Sequence, residues 1–282
     1  MAMAEHFTWA ANRAAWLILP LALLAPSSAQ AQAMDDRVWG ELSFFHPAAR
    51  TFVQVEDRSD QEPATVIDLE NDLQFKDSDS LPSVLVGAQL GNGFWVFGEY
   101  FAIDRSSDAT IEREIRFAGV RFQATADLHS TFETDTYRVG VGWDFLRGDN
   151  YALGVSGGLH ATDFVIQVEG EASLAGASTE FVTRKRNALA PLPTLGLHGE
   201  AEVIPKLTLR AKAEYLDLTL NNASGRIFNG EAMAFYNVTE NVALGVGYRH
   251  VDLRLELAKR DWIGSIDYQF DGPKATLKVG LR

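Results

Sequence analysis

Apolar and polar residues alternate along most of the chain after residue 34, and no stretch there keeps the 3.6-residue period of a helix over several turns. The run 207–215 is apolar at its odd positions and polar at its even positions, and the nine residues before residue 204 alternate in the same way. If residues 204–206 form a turn, Glu200 lies opposite Arg210 and both faces stay in register. The alternation therefore predicts a β-hairpin.

The same construction recurs around turns at 91–93, 147–150 and 239–241. The last of these hairpins would pair Glu231 with Arg249 and set two large side chains against glycines. Together with a first strand within 38–56 and a last one within 262–281, the hairpins give an all-β, up-and-down antiparallel barrel of ten strands, with eight as the alternative. Longer polar segments join the other strand ends, at about 57–81, 117–129, 169–188, 221–226 and 258–261.

The positions of the tyrosines indicate which face lies outside. A soluble barrel keeps its apolar face inward, whereas a membrane barrel turns it toward lipid. Six of the seven tyrosines lie on the apolar face, either beside a short turn or about eight residues away from one. Eight residues of tilted strand climb about 20 Å, close to the ~25 Å lipid-facing band between aromatic girdles. This predicts a transmembrane barrel with short periplasmic turns, longer extracellular loops and two girdles, made of Tyr151 and Tyr236 below and of Tyr100, Tyr137, Tyr215 and Tyr248 above.

Beyond the upper girdle the apolar residues change to the other face, as in the alternate residues 216–220, 251–257 and 164–168. We expect the barrel to extend above the membrane with a hydrophobic upper interior, the alternative being a β-bulge in each strand. A last-strand bulge is expected at Asp271-Gly272-Pro273, because proline cannot donate to the ladder.

The polar face of the strands would line the lumen, which is narrow in a barrel of eight to ten strands. Opposed charges there should pair into a network rather than line a wide pore. The predicted network consists of Arg138, Glu200, Arg210, Lys212, Glu214, Glu231 and Arg249.

Residues 1–33 differ from the rest of the chain. Arg13 precedes the apolar run 14–25, and alanines with A-x-A spacing follow at 29–33. This predicts a cleaved secretory signal peptide over 1–33 and a single barrel domain over 34–282, because the apolar run is too short to span a bilayer. The net charge of −13 argues against nucleic-acid binding, and the absence of cysteine excludes disulfides and thiolate metal sites.

Four segments resemble those of a poorly characterised family of Gram-negative outer-membrane β-barrel proteins: 67–73 (IDLENDL), 77–82 (DSDSLP), 100–105 (YFAIDR) and 268–273 (YQFDGP). The resemblance implies the barrel fold and an outer-membrane location, and it supplies no activity. The implied partners are outer-membrane lipid, lipopolysaccharide and, during biogenesis, the barrel assembly machinery. The chain departs from such barrels at 279–282 (VGLR), where an aromatic last residue is common.

Three groups of residues are candidates for chemistry. Asp77-Ser78-Asp79 and His250-Val251-Asp252 superficially resemble the acidic pair and Asp/His pair of omptin-like rim proteases, but their order does not match, and no lipid A deacylase motif is present. Basic residues in the outer loops could contact lipopolysaccharide phosphates: Arg184, Lys185, Arg186, Lys259 and Arg260. The first loop could hold Ca²⁺ or Mg²⁺, or be only a solvated acidic loop, through Glu56, Asp57, Asp60, Glu62, Asp68, Glu70, Asp72, Asp77 and Asp79.

The sequence thus favours a monomeric, non-enzymatic outer-membrane barrel without cofactor or metal, serving a structural or surface role or passing small solutes through a narrow lumen. The alternatives are a soluble lipocalin-like binding barrel and a barrel-rim hydrolase.

Overall fold

The computed structural model describes residues 36–59, 63–78, 80–173, 179–220 and 222–281. The predicted signal peptide lies outside these residues. Almost all the described chain is β-strand, and no helix in this part is long and apolar enough to cross a membrane. The elements are β1 (Val38–Phe45), β2 (Ala48–Asp57), β3 (Ile67–Asp68), α1 (Leu69–Asp72), β4 (Leu81–Gly91), β5 (Phe94–Thr110), β6 (Ile115–Phe117), β7 (Val120–Phe122), β8 (Asp127–Arg147), β9 (Tyr151–Ser173), β10 (Thr179–Ile204), β11 (Leu207–Leu220), β12 (Ala223–Asn237), β13 (Val242–Ala258) and β14 (Trp262–Leu281).

The long strands close into one antiparallel barrel, in the order β1, β4, β5, β8, β9, β10, β11, β12, β13, β14. The ring closes because β14 pairs with β1 along its second half and with β2 along its first half. β1 and β2 are therefore two halves of a single barrel strand. The predicted ten-strand up-and-down barrel is confirmed. Short turns join the strands at one end of the barrel, here called the short-turn end, and long connections join them at the other, here called the long-loop end.

The first barrel strand is interrupted at His46-Pro47, opposite the predicted bulge in the last strand. That bulge prediction was wrong, since β13 and β14 pair without a register shift from Val242 to Ala258. The Pro273 carbonyl accepts from the His46 N–H at 3.0 Å. Pro273 has no N–H of its own to donate back to the first strand, and the strand is interrupted at this point. Gly272 allows this approach, because a Cβ there would lie 2.4 Å from the His46 carbonyl oxygen.

The hairpin registers follow the sequence pattern. One detail differs at the turn after β10, where a register shift between Glu202 and Ile204 leaves Ile204 opposite Leu207. The structure contains the four predicted backbone pairs, which are Glu200–Arg210, Glu231–Arg249, Met233–Gly247 and Phe235–Gly245.

The change of apolar face along the strands arises without bulges. In β13 every odd position from 243 to 255 faces inward, and the register with both neighbouring strands is unbroken. What changes is the kind of residue that faces inward, from glycine and Arg249 to Val251, Leu253 and Leu255. The structure therefore has the predicted hydrophobic upper interior, and the bulge alternative was wrong.

Connections at the long-loop end fold into this interior and fill it. The segment containing β3 and α1 and the hairpin β6–β7 join the inward-facing strand residues in one hydrophobic cluster, here called the upper plug. Glu70 of α1 fixes the first segment, because it accepts from Arg105 Nη2 at 2.7 Å and from the Thr51 N–H at 2.7 Å. The most deeply buried residues that the connections contribute to the plug are Ile67, Leu69, Leu73, Ile111, Ile115, Phe117 and Phe122.

Candidate lumen site

Below the upper plug, five buried side chains form a closed hydrogen-bonded loop across the lumen, here called the buried ring: Glu99, Arg138, Glu214, Asn229 and Arg249. Arg138 donates to both Glu99 and Glu214. Asn229 donates to Glu214 at 2.6 Å and accepts from Arg249 Nε at 3.0 Å. Arg249 Nη1 closes the loop on Glu99 at 2.8 Å. All five side chains are buried, so each charge depends on its partners in the ring.

Neighbouring strands account for three of the five bonds in the ring, Arg138–Glu99, Asn229–Glu214 and Arg249–Asn229, and barrel closure accounts for the other two. Glu99 lies directly opposite Arg138, and Glu214 lies directly opposite Asn229. The two pairs are joined across the lumen by Arg138 and Arg249. The sequence prediction included Arg138, Glu214 and Arg249 but missed Glu99 and Asn229, although Glu99 lies on the polar face of β5.

A second charged layer lies next to the ring on the short-turn side. Glu231 accepts from Lys274 at 2.7 Å and lies 3.4 Å from Lys212 Nζ. Arg210 binds both carboxylate oxygens of Glu41, at 2.5 and 2.8 Å. The structure thus brings the predicted residues Arg210, Lys212 and Glu231 together, with Glu41 and Lys274 as partners that the sequence did not indicate.

Glu200 is the exception among the predicted network residues. Its backbone lies opposite Arg210, but the Arg210 guanidinium binds Glu41 instead. Within the described part of the chain, no basic nitrogen lies within 4.0 Å of the Glu200 carboxylate. Glu200 lines a cavity of about 110 Å³ near the short-turn end, here called the short-turn cavity.

Four aromatic rings line the same cavity, and each lies on a glycine of a neighbouring strand, as Phe97 does on Gly140. Trp39 lies on Gly87, Trp95 on Gly142 and His198 on Gly154, since a Cβ at any of these glycines would come within 2.4 Å of the ring. Trp95 packs edge-on against Trp39 and His198, with ring centroids 6.3 Å and 4.9 Å away, respectively. Asp144 fixes the Trp95 and His198 rings, because its carboxylate accepts from Trp95 Nε1 at 3.0 Å and from His198 Nε2 at 2.8 Å.

Replacing Gly142 by alanine should therefore destabilise the barrel by about 1–3 kcal/mol, because the methyl group would lie 2.2 Å from the Trp95 ring and force it to move. The free energy of unfolding in urea, followed by tryptophan emission, measures this. Gly40→Ala is the matched control, since its nearest atom is 3.9 Å away. Equal stability of the two variants would contradict the packing role of Gly142.

All six predicted girdle tyrosines are exposed on the outside of the barrel. Tyr100 and Tyr137 are direct cross-strand neighbours, with ring centroids 5.0 Å apart. Three upper-girdle hydroxyl groups donate to aspartates: Tyr100 to Asp135 at 2.7 Å, Tyr215 to Asp217 at 3.5 Å and Tyr248 to Asp271. Carboxylates first appear on the outer face at this level, as expected where a strand leaves lipid.

The predicted basic group divides between two faces. Arg184 and Arg186 point into the mouth of the barrel, because they lie opposite the inward-facing Val168 and Ile166. They border a cleft with Asp57 and Ser59, in which hydrogen bonds from the Ser59 hydroxyl and N–H lower the pKa of the Asp57 carboxyl. The residues on the exposed side are Lys185, Lys259 and Arg260.

The described candidates for catalysis and metal binding do not form one cluster. His250 and Asp252 face outward, with His250 Nδ1 4.0 Å from Asp271, and Asp60, Glu62 and Asp79 lie outside the described residues. In the acidic loop Glu70 pairs with Arg105 and Asp68 caps α1. Among the described residues no group of three or more His, Asp or Glu is placed to hold a metal ion.

Burial alone would raise the pKa of Asp72, but hydrogen bonds from Arg113 and from the Asp68 N–H lower it overall. Asp72 therefore acts as a structural partner within its loop.

The fold and its outward apolar face define an outer-membrane-type β-barrel. The outer-membrane protease OmpT of Escherichia coli has a similar fold, with a TM-score of 0.58 at 11% identity over 90% of this chain and 99% of that chain. Lower similarity is found to the attachment invasion locus protein Ail of Yersinia pestis (TM-score 0.30, 10% identity, 84% of this chain and 97% of that chain). The toluene transporter TodX of Pseudomonas putida is comparable (TM-score 0.35, 10% identity, 87% and 90%). No protein-family model and no curated protein matches the chain.

Proposed function

We propose that the protein is a closed, non-enzymatic barrel of the Gram-negative outer membrane, with a structural or surface-display role. The observation that carries this proposal is the buried ring, which crosses the lumen directly beneath the hydrophobic upper plug. Two barriers of different chemistry therefore lie in series between the two ends. A water-filled path for solutes would require both to move.

The apolar outer face supports membrane insertion rather than the soluble lipocalin-like alternative. Leu195, Leu197 and Val246 are each more than 60% exposed, whereas charged side chains at the same level, such as Glu214 and Arg249, face inward. A soluble barrel needs the opposite arrangement, because a continuous exposed apolar belt promotes association in water.

The proposal is tested in two steps. In the outer-membrane fraction, the unboiled protein should migrate differently from the boiled protein on an SDS gel, as a closed lipid-embedded barrel does. The purified protein, inserted into a planar bilayer, should then show no conductance steps while a general porin inserted in the same way does. Recovery from the periplasm without a gel shift would refute the membrane location, and stable open steps would refute the closed lumen.

The lipid-facing assignment predicts a depth-dependent cost of charge. Val246→Arg should destabilise the barrel in lipid vesicles by about 2–4 kcal/mol, because Val246 points outward between the girdles. Val203→Arg is the matched control at the short-turn edge, where the same change should cost about 0–1 kcal/mol. The measurement is the free energy of unfolding by urea in vesicles. Equal costs at the two sites would place Val246 outside the lipid.

A further inference from the structure

The short-turn cavity has the features of a binding site rather than of a packing gap. Its wall of Trp39, Trp95 and His198 is built on three glycines, so the rings are held in fixed positions. Its volume, about 110 Å³, is somewhat smaller than the ~150 Å³ of a cavity that holds benzene. The space suits a compact molecule of about four to six heavy atoms.

The charges that line the cavity leave a negative group without a partner. Arg210 binds Glu41, Lys212 lies 3.4 Å from Glu231, and Lys278 lies 2.9 Å from Asp36. Every basic side chain of the lining therefore has a carboxylate partner. Glu200 has no basic partner within 4.0 Å in the described chain, so its carboxylate is free to pair with a bound cation.

A second polar atom of the wall also lacks a partner. His198 Nε2 donates to Asp144, because a carboxylate can only accept. In the neutral imidazole the other ring nitrogen, Nδ1, is then an acceptor; it is buried and has no hydrogen-bond partner among the described residues. An N–H group of a bound cation could satisfy it.

We propose that the short-turn cavity binds a small organic cation of the alkylammonium or guanidinium class. The charged group pairs with Glu200, an N–H group donates to His198 Nδ1, and the apolar part packs against Trp39 and Trp95. Anionic ligands are disfavoured because the lining bases are already paired. This site is independent of whether the lumen above it conducts.

The test is calorimetric titration of the folded, detergent-solubilised protein at pH 8 with isopropylammonium chloride. Isopropanol is the neutral ligand of similar shape, and isobutyrate is the anionic one. We expect saturable binding of the ammonium ion only, with a change in tryptophan emission from Trp39 and Trp95. Saturable binding of isobutyrate, or no saturation by isopropylammonium up to about 50 mM (a binding free energy of about −1.8 kcal/mol), would overturn the proposal.

The decisive variant is Glu200→Gln, which keeps the shape of the side chain and removes its charge. It should weaken isopropylammonium binding about tenfold or more. Asp149→Asn, in an exposed turn outside the cavity, removes the same charge and should leave the affinity within about twofold. The heat-induced gel shift verifies that both variants are folded. Unchanged affinity in folded Glu200→Gln would also overturn the proposal.

Discussion

Replacing Arg138 by methionine is expected to destabilise the barrel by about 3–5 kcal/mol. Arg138 is the only described residue that donates to both Glu99 and Glu214. Without it, Glu214 keeps the amide of Asn229 but has no ion-pair partner, although its carboxylate stays buried. The free energy of unfolding by urea in lipid vesicles measures the loss.

Arg254→Met is the matched control for this prediction. Arg254 also pairs with a carboxylate, that of Asp267 at 2.8 Å, but both side chains are largely exposed on the outer surface. Water can solvate Asp267 after the change, so we expect a loss of less than about 1 kcal/mol. Similar losses in the two variants would mean that the buried ring contributes no more to stability than an exposed ion pair does.

A double variant distinguishes the cost of the unpaired Glu214 carboxylate from the cost of losing the packing of the Arg138 side chain. In Arg138→Met/Glu214→Gln the buried carboxylate is replaced by a neutral amide that can still hydrogen-bond to Asn229. The double variant should recover part of the stability lost in Arg138→Met, because the unpaired buried charge is the main cost. A double variant that is less stable than Arg138→Met would show that the loss comes from packing.

The buried ring also marks the limit of what the sequence could predict. Glu231 and Arg249 were predicted as a pair, and their backbones do lie opposite each other. Their side chains bind elsewhere, however, Glu231 to Lys274 and Arg249 to Glu99. A hairpin register follows from local alternation, whereas contacts across the lumen depend on how the sheet closes.

The upper plug shows the same limit on a larger scale. The change of apolar face after Tyr215 and Tyr248 was sufficient to predict a hydrophobic upper interior. It could not show that α1 and the β6–β7 hairpin fill that interior, because short segments in loops carry little periodic signal. Likewise, proline at 273 was visible in the sequence, but the break that it faces at His46-Pro47 depends on which strand closes the barrel.

Replacing Phe117 by alanine should cost the upper plug about 3–5 kcal/mol, because this fully buried ring leaves a cavity in a packed cluster. Phe181→Ala is the matched control, since Phe181 is 71% exposed on the outer surface and its loss should cost less than about 0.5 kcal/mol. Limited proteolysis of the protein in vesicles reports on the plug, with faster cleavage near β6 and β7 expected only for Phe117→Ala. Equal cleavage rates in the two variants would contradict the plug assignment.

The two barriers act in series, and this gives the Phe117 variant a second expected result. Phe117→Ala alone should remain non-conducting in a planar bilayer, because the buried ring still crosses the lumen below the loosened plug. Arg138→Met alone should also remain non-conducting, because the hydrophobic plug excludes water and ions above the opened ring. Only the variant that carries both changes should show conductance steps. Steps in either single variant would mean that one barrier alone closes the barrel.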